Sequence, residues 1–209
     1  MDAIKEKLTI GIDALNLDFN AEQIDRCLQF IQLLTKWNKT FNLTAIRQPL
    51  EMVEKHLLDS FSIARYIKGD HILDVGSGAG LPGIPLAIFF PKKHFTLLDS
   101  NSKKIRFIRQ VTIELEMKNI EPISQRIEQL PNNRKFTNIT TRAFAPLSDM
   151  LVIKPDLLQE NGQILAMKGD LSEQEKSDPP KGYKIKNIHK LQVPGMDAER
   201  NLVILIPDC

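Results

Sequence analysis

The stretch His71-Ile72-Leu73-Asp74-Val75-Gly76-Ser77-Gly78-Ala79-Gly80-Leu81-Pro82-Gly83 constrains the fold more than any other part of the sequence. An apolar run suited to a buried strand leads into three alternate glycines, and a helix can open at the proline that follows. Glycine lets a backbone turn tightly and approach a ligand closely. A helix starting at such a turn offers unpaired N–H groups and the positive end of its dipole, which favours an anion. The next apolar run ends Leu97-Leu98-Asp99. It sets an acid about 20 residues past the loop, where doubly wound sheets hold a ribose diol.

The rest of the 209 residues extends this opening. Strand patterns fall at His71–Gly76, His94–Asp99, Ile120–Ser124, Asn138–Arg142, Gln163–Met167, Tyr183–His189 and Leu202–Ile206. Helical patterns fall between them at Pro82–Phe90, Ser102–Glu116 and Ser148–Gln159. Alternation of this kind predicts a seven-stranded, mostly parallel α/β sheet, Rossmann-like, with helices on both faces. The last two strands lack a helix between them and should end the sheet antiparallel, joined across Pro194-Gly195. Before position 70 the pattern is helical: Ile4, Leu8, Ile12 and Leu15, then Ile24, Leu28, Ile31 and Leu34 after an Asn20/Gln23 capping box. A third helix should run from Pro49 to about Ile67. Residues 1–68 therefore read as a helical cap on a core of residues 69–209.

Two ligand classes use a strand–glycine–helix turn. A dinucleotide site needs a small residue where this chain has Leu81, so that fingerprint fails. The alternative, D-x-G-x-G-x-G from Asp74 to Gly80, resembles motif I of class I S-adenosylmethionine-dependent methyltransferases. On that reading Gly76, Ser77, Gly78, Gly80 and Leu81 face the cofactor, and Asp99 meets the ribose hydroxyls.

Acceptor chemistry is sought after the fourth strand. Methylation at pyrimidine carbon needs a cysteine nucleophile. Cys27 lies in a helical stripe and Cys209 is the last residue, so neither suits, and two cysteines make no disulfide framework or zinc site. Asp178-Pro179-Pro180 is followed by Lys181 rather than an aromatic residue and reads as a loop, which argues against amino-group methylation. Arg142 and Lys168-Gly169 fall at the sheet's functional edge as catalytic candidates. His56 and Asp59, three residues apart on one helix face, are further candidates and could pair. Arginine and lysine without an obvious base suit an acceptor that is already nucleophilic, such as guanine N7. Trp37 and Phe41, at i and i+4, read as core between cap and sheet. No histidine pair has metal-ligand spacing, and no metal is expected.

The strings Trp37-Asn38-Lys39-Thr40-Phe41-Asn42-Leu43-Thr44, Lys55-His56-Leu57-Leu58-Asp59-Ser60, Asp74 to Pro85, Leu98-Asp99-Ser100, Arg142-Ala143-Phe144-Ala145 and Met167-Lys168-Gly169 together resemble the ribosomal RNA small subunit methyltransferase G family, also called glucose-inhibited division protein B. The likeness covers nearly the whole chain. It implies a class I fold, S-adenosylmethionine as cofactor, and methylation of a guanine N7 in the decoding-region hairpin of bacterial 16S rRNA. It puts Gly76 and Leu81 in the cofactor loop, Ile127 and Glu128 beside the adenine, and Arg142 at the cofactor site.

A net charge of +2 supplies no global field for nucleic acid, so RNA must meet a local patch. Lys92, Lys93, Lys103, Lys104 and Arg106, with Lys184 and Lys186, should form one footprint near one edge of the sheet. The partner would be 16S rRNA or a small-subunit particle. The opening residues carry acids and no apolar run, and no stretch is long enough to span a bilayer, so a cytoplasmic monomer is expected. Two other readings remain open: a nicotinamide-dependent oxidoreductase, and a non-enzymatic RNA-binding or ribosome-assembly module on the same fold.

Overall fold

The computed structural model describes residues 2–142 and 146–208; Met1, Ala143, Phe144, Ala145 and Cys209 lie outside them. Seven strands form one sheet: β1 (His71–Val75), β2 (His94–Asp99), β3 (Ile120–Ser124), β4 (Phe136–Thr141), β5 (Leu158–Lys168), β6 (Tyr183–Lys190) and β7 (Asn201–Pro207). Their order is β3-β2-β1-β4-β5-β7-β6. The first five are parallel, and β7 enters antiparallel between β5 and β6. This is the mostly parallel seven-stranded α/β sheet expected, including its antiparallel end. The strand order reverses between β1 and β4, so a crevice opens at their carboxyl ends.

One helix explains the cap. In α5 (Gly83–Phe89) every residue from Gly83 to Ile88 is buried. A helix apolar on all sides needs cover on both faces. The sheet covers one, and the N-terminal helices α2 (Ala21–Phe41) and α4 (Asp59–Phe61) cover the other, with α1 (Asp2–Ala14) packed against α2. The capping box opens α2 as expected, with Asn20 and Gln23 exchanging hydrogen bonds of 2.9 Å. Gln23 Nε2 also donates to the carbonyls of Ile88 and Phe89 at 3.2 and 3.0 Å, closing the far end of α5. Phe19 stacks on Phe89 at 4.8 Å and meets Phe61 edge-on at 4.9 Å. Trp37 stacks on Phe41 at 5.0 Å and touches Phe107 of α6 (Ser102–Glu114) at 5.7 Å, which makes both residues cap–core packing.

Two expected helices differ from what forms. The segment from Pro49 is α3 (Pro49–Met52), then a π-helical turn (Val53–Leu58), then α4 and a 3-10 turn (Ala64–Tyr66). Asp59 N–H reaches back to the carbonyl of Glu54, five residues away. The expected helix Ser148–Gln159 is two 3-10 turns, Leu147–Val152 and Pro155–Leu157, and β5 begins at Leu158. Pro155 disfavours the helical conformation at Lys154. Leu147, Met150 and Ile153 are fully buried at a spacing of three, the period of a 3-10 turn. A short helix, α7 (Glu173–Ser177), occupies a stretch for which no element was expected.

Candidate active site

The glycine loop is built on two aspartates. Gly76 and Ser77 both donate their N–H to the carbonyl of Leu98, at 2.9 and 3.1 Å, so the loop folds over the end of β2. Gly78, at φ +58°, donates its N–H to Asp99 Oδ2 at 2.9 Å, and Asn101 N–H reaches Asp99 Oδ1 at 2.8 Å. A Cβ at Gly78 would clash with nothing, meeting only the Gly76 carbonyl oxygen at 3.8 Å, yet its φ is one that L side chains rarely adopt. Asp74 is fully buried and accepts from Gly83 N–H at 3.0 Å and Thr140 Oγ1 at 3.1 Å. It thereby ties the start of α5 to β4. Burial pushes its carboxyl up to about 7, against the pull of the Gly83 and Thr140 hydrogen bonds.

Beside this loop lies a cavity of about 680 Å³, within the range of small-molecule sites. Gly76, Asp99, Ile127 and Glu128, all named from the sequence, line it. Ser77, Gly78, Gly80 and Leu81 shape the loop instead of lining that cavity. The Ser77 hydroxyl donates to the Leu98 carbonyl at 3.3 Å, and Leu81 packs into the apolar core. Gln125 and Arg126, just before Ile127, are further wall residues that sequence reasoning missed, as is Asp149 from the segment read as helix. Lys104 also lines the cavity, its Nζ 3.6 Å from Asp99 Oδ2.

A second pocket, about 350 Å³, opens at the carboxyl ends of β4 and β5. It gathers all four sequence candidates for chemistry: His56, Asp59, Arg142 and Lys168. They do not pair as expected. His56 Nε2 lies 2.9 Å from Thr44 Oγ1, and its Nδ1 lies 2.9 Å from the carbonyl of Lys55. Burial, with the Arg142 guanidinium nearby, pushes its imidazole down to about 4. The neutral ring therefore donates from Nδ1 and accepts the Thr44 hydroxyl at Nε2. Asp59 binds two arginines instead, Arg142 Nη1 and Arg200 Nε, both at 3.1 Å. Lys168 pairs with Glu175 at 3.0 Å. Arg142 thus stands in this second pocket rather than on the wall of the larger cavity, though its charge still reaches Asp74. Arg200 and Lys55 are the pocket residues the sequence reading missed. Arg200 immediately precedes β7, so only an antiparallel β7 delivers it to this edge.

The expected single RNA footprint does not form. Lys103, Lys104 and Arg106 open α6, at the carboxyl end of β2. Lys184 and Lys186 lie on β6, the opposite edge strand, five strand steps from β2, or roughly 24 Å. Lys92 and Lys93 precede β2 at the amino edge, where Lys93 pairs with Asp70. Of the β6 cluster, the carboxyl-edge end at Lys190 is the part nearest the pockets, because Lys190 pairs in register with Asn201 beside Arg200. Among the described residues no group of three His, Cys, Asp or Glu could hold a metal ion, and no helix is long and apolar enough to cross a membrane.

Comparison with solved structures places this geometry among methyltransferase folds. Magnesium protoporphyrin IX methyltransferase from Synechocystis PCC 6803, with bound SAM, matches with a TM-score of 0.58 at 13% identity, over 86% of this chain and 97% of that one. A SAM-dependent methyltransferase from Aquifex aeolicus matches with a TM-score of 0.56 at 17% identity, over 75% and 93%. In sequence, the ribosomal RNA small subunit methyltransferase G of Shigella flexneri is 43% identical over 199 residues, covering 95% of this chain and 96% of its own. The family model for rRNA small subunit methyltransferase G matches residues 23–203. The glycine loop, the two pockets and this match over nearly the whole length lead to one conclusion: the chain belongs to the rRNA small subunit methyltransferase G family.

Proposed function

We propose that this chain transfers a methyl group from S-adenosylmethionine to guanine N7 in the decoding-region hairpin of 16S rRNA. The observation that carries the reading is the pocket at Arg142. It presents cations and, among the described residues, holds no group placed to act as a base. His56 is neutral, with Nε2 already engaged by Thr44. Asp59 is held by two arginines. Cys27 is buried, and burial raises its thiol, so it offers no nucleophile. Guanine N7 has an in-plane lone pair and no proton to remove, so it asks for alignment and not for deprotonation.

The cradle fits the cofactor. The cavity has the volume for it, and Asp99 fixes the loop from below through the Gly78 N–H. Gly76, Ser77, Gly78, Gly80 and Leu81 form the loop around its amino-acid end. Asp99 retains lone pairs for ribose hydroxyls beyond its two backbone N–H bonds. Ile127 and Glu128 flank the adenine. Bound there, the cofactor supplies an activated sulfonium methyl. Arg142, at the carboxyl end of β4, stands in the acceptor pocket and orients what enters there. Lys103 and Arg106 offer phosphate contacts flanking the cavity. We read the protein as a monomer that works in the cytoplasm on 16S rRNA or a small-subunit particle.

The test is labelled methyl transfer to RNA, and separately to small-subunit particles, from cells lacking this protein. The label should map to one guanine and block reactivity at its N7. Label on another atom, or none on either substrate, overturns the reading.

A further inference from the structure

Asp59 sits at the first residue of α4, on the cap, with 2% of its side chain exposed. Its partners come from elsewhere. Arg142 follows β4, and Arg200 precedes β7; their side chains are 29% and 28% exposed. Each gives the carboxylate one hydrogen bond of 3.1 Å. Arg142 Nη1 also donates to the Lys55 carbonyl at 3.3 Å, and Arg200 Nη1 to the Glu199 carbonyl at 2.9 Å. One buried acid thus joins three segments that are far apart in the chain, at the wall of the acceptor pocket. A guanidinium carries five donors, so each arginine keeps its fork while tied to Asp59. We propose that Asp59 is a positioning residue: it fixes Arg142 and Arg200 as one unit at the acceptor pocket and lowers their joint charge where the methylated base becomes cationic.

The inference rests on the methyl-transfer reading. The transfer forms the N7–CH3 bond as the S–CH3 bond breaks, and the electron pair of that bond stays on sulfur. No proton moves, and one positive charge passes to the guanine. Two uncompensated arginines beside that ring would oppose the change. With Asp59 between them the unit carries +1 instead of +2. Its outward donors remain suited to backbone phosphate on either side of the target base.

The two roles give Asp59→Asn an unusual signature. The pocket becomes more positive, so RNA binding should hold or tighten and its salt dependence steepen. Alignment is lost and the opposing charge grows, so single-turnover transfer at saturating RNA and cofactor should fall on the order of 10- to 100-fold. Cofactor affinity by calorimetry should stay within about threefold, since Asp59 lies outside the larger cavity. A purely structural role would weaken RNA binding and transfer together. In an Arg200→Gln background, Asp59→Asn should cost much less than alone, because the unit is already broken. Should Asp59→Asn fail to fold, Arg200→Gln alone serves: it should also lower the transfer rate, and an unchanged rate overturns the proposal. Wild-type transfer by Asp59→Asn, or parallel loss of binding and transfer, overturns it alone. No transfer by the wild type overturns the function itself and this inference with it.

Discussion

Asp74 and His56 are both buried and titrate in opposite senses, and this gives a stability prediction with a definite sign. Asp74 has an ordinary value of 3.8 and stands at about 7 in the fold. Between those values the unfolded chain has lost this proton and the folded chain keeps it. Stability from Asp74 is therefore full below pH 4 and is lost as pH rises to 7, at about 1.4 kcal/mol per unit. The full loss is roughly 4 kcal/mol as an upper bound. The protonated form has a place for its hydrogen: it can donate to Thr140 Oγ1, whose own hydroxyl points on to the Leu73 carbonyl at 3.4 Å. His56 has an ordinary value of 6.5 and stands at about 4. Between these the unfolded chain takes up a proton that the fold refuses, so stability from His56 is present above 6.5 and lost as pH falls. The two slopes nearly cancel between pH 4 and 6.5. Asp74→Asn should uncover the difference. Urea midpoints at pH 5, 6, 7 and 8 should show the variant gaining on the wild type by about 3 kcal/mol from pH 5 to 7. With a slope of about 1–3 kcal/mol per molar urea, that is a shift of about 1 M or more. From pH 7 to 8 the gap should change little. His56→Gln should shift the other way relative to wild type. A stability gap for Asp74→Asn that is constant from pH 5 to 7 would refute the buried-proton argument.

Gly78→Val should fold yet lose S-adenosylmethionine in calorimetry, because the residue sits at φ +58° over the cradle; Asp99→Asn should weaken binding by roughly 1.5–3 kcal/mol. Lys103→Glu with Arg106→Glu should lower RNA affinity and leave cofactor affinity alone, whereas Lys104→Glu should lower both, since Lys104 pairs with Asp99 in the cavity; equal RNA binding by the double variant would make that face an ordinary solvated surface. Phe107→Ala, which removes a fully buried ring touching Trp37 and Phe30, should cost about 3–5 kcal/mol in denaturant unfolding. Single-turnover transfer should be nearly flat from pH 6 to 8. A rise through that range that persists in Asp74→Asn and vanishes in His56→Gln would put a base in the mechanism.

How much was legible depends on how local each feature is. The loop from Asp74 to Gly83 and the acid at Asp99 are set by residues close in sequence, and they form the cradle as one unit. The Asn20/Gln23 cap and the antiparallel end were readable for the same reason. A helix was expected over Ser148–Gln159, but the buried Leu147, Met150 and Ile153 recur at a spacing of three, which fits a 3-10 turn as well as an α-helix. Nothing in the stretch 53–58 marks a π turn, because that turn is fixed by what packs around it. The lysines of α6 and β6 were placed together because strand order is not written along the chain. Once β7 inserts beside β5, β6 becomes the far edge.

The acceptor pocket lies at the limit of what sequence can say. Arg142 follows a recognisable strand, so its position at the sheet edge was readable. Its partner was not. Asp59 reaches it only because the cap docks on α5, and the cap docks because α5 is apolar on every face and must be covered. The apolar contacts of Phe19, Phe61 and Phe89 therefore decide where Lys55, His56 and Asp59 stand. Weakening that packing should disturb the arginine pair before it unfolds the sheet. The second apolar cluster, which contains Leu73, Ile139 and Ile164, does not include the cap. A helical cap that looks from sequence like an appendage is thus one wall of the acceptor pocket. The residues that specify its docking bear on the chemistry without touching any substrate.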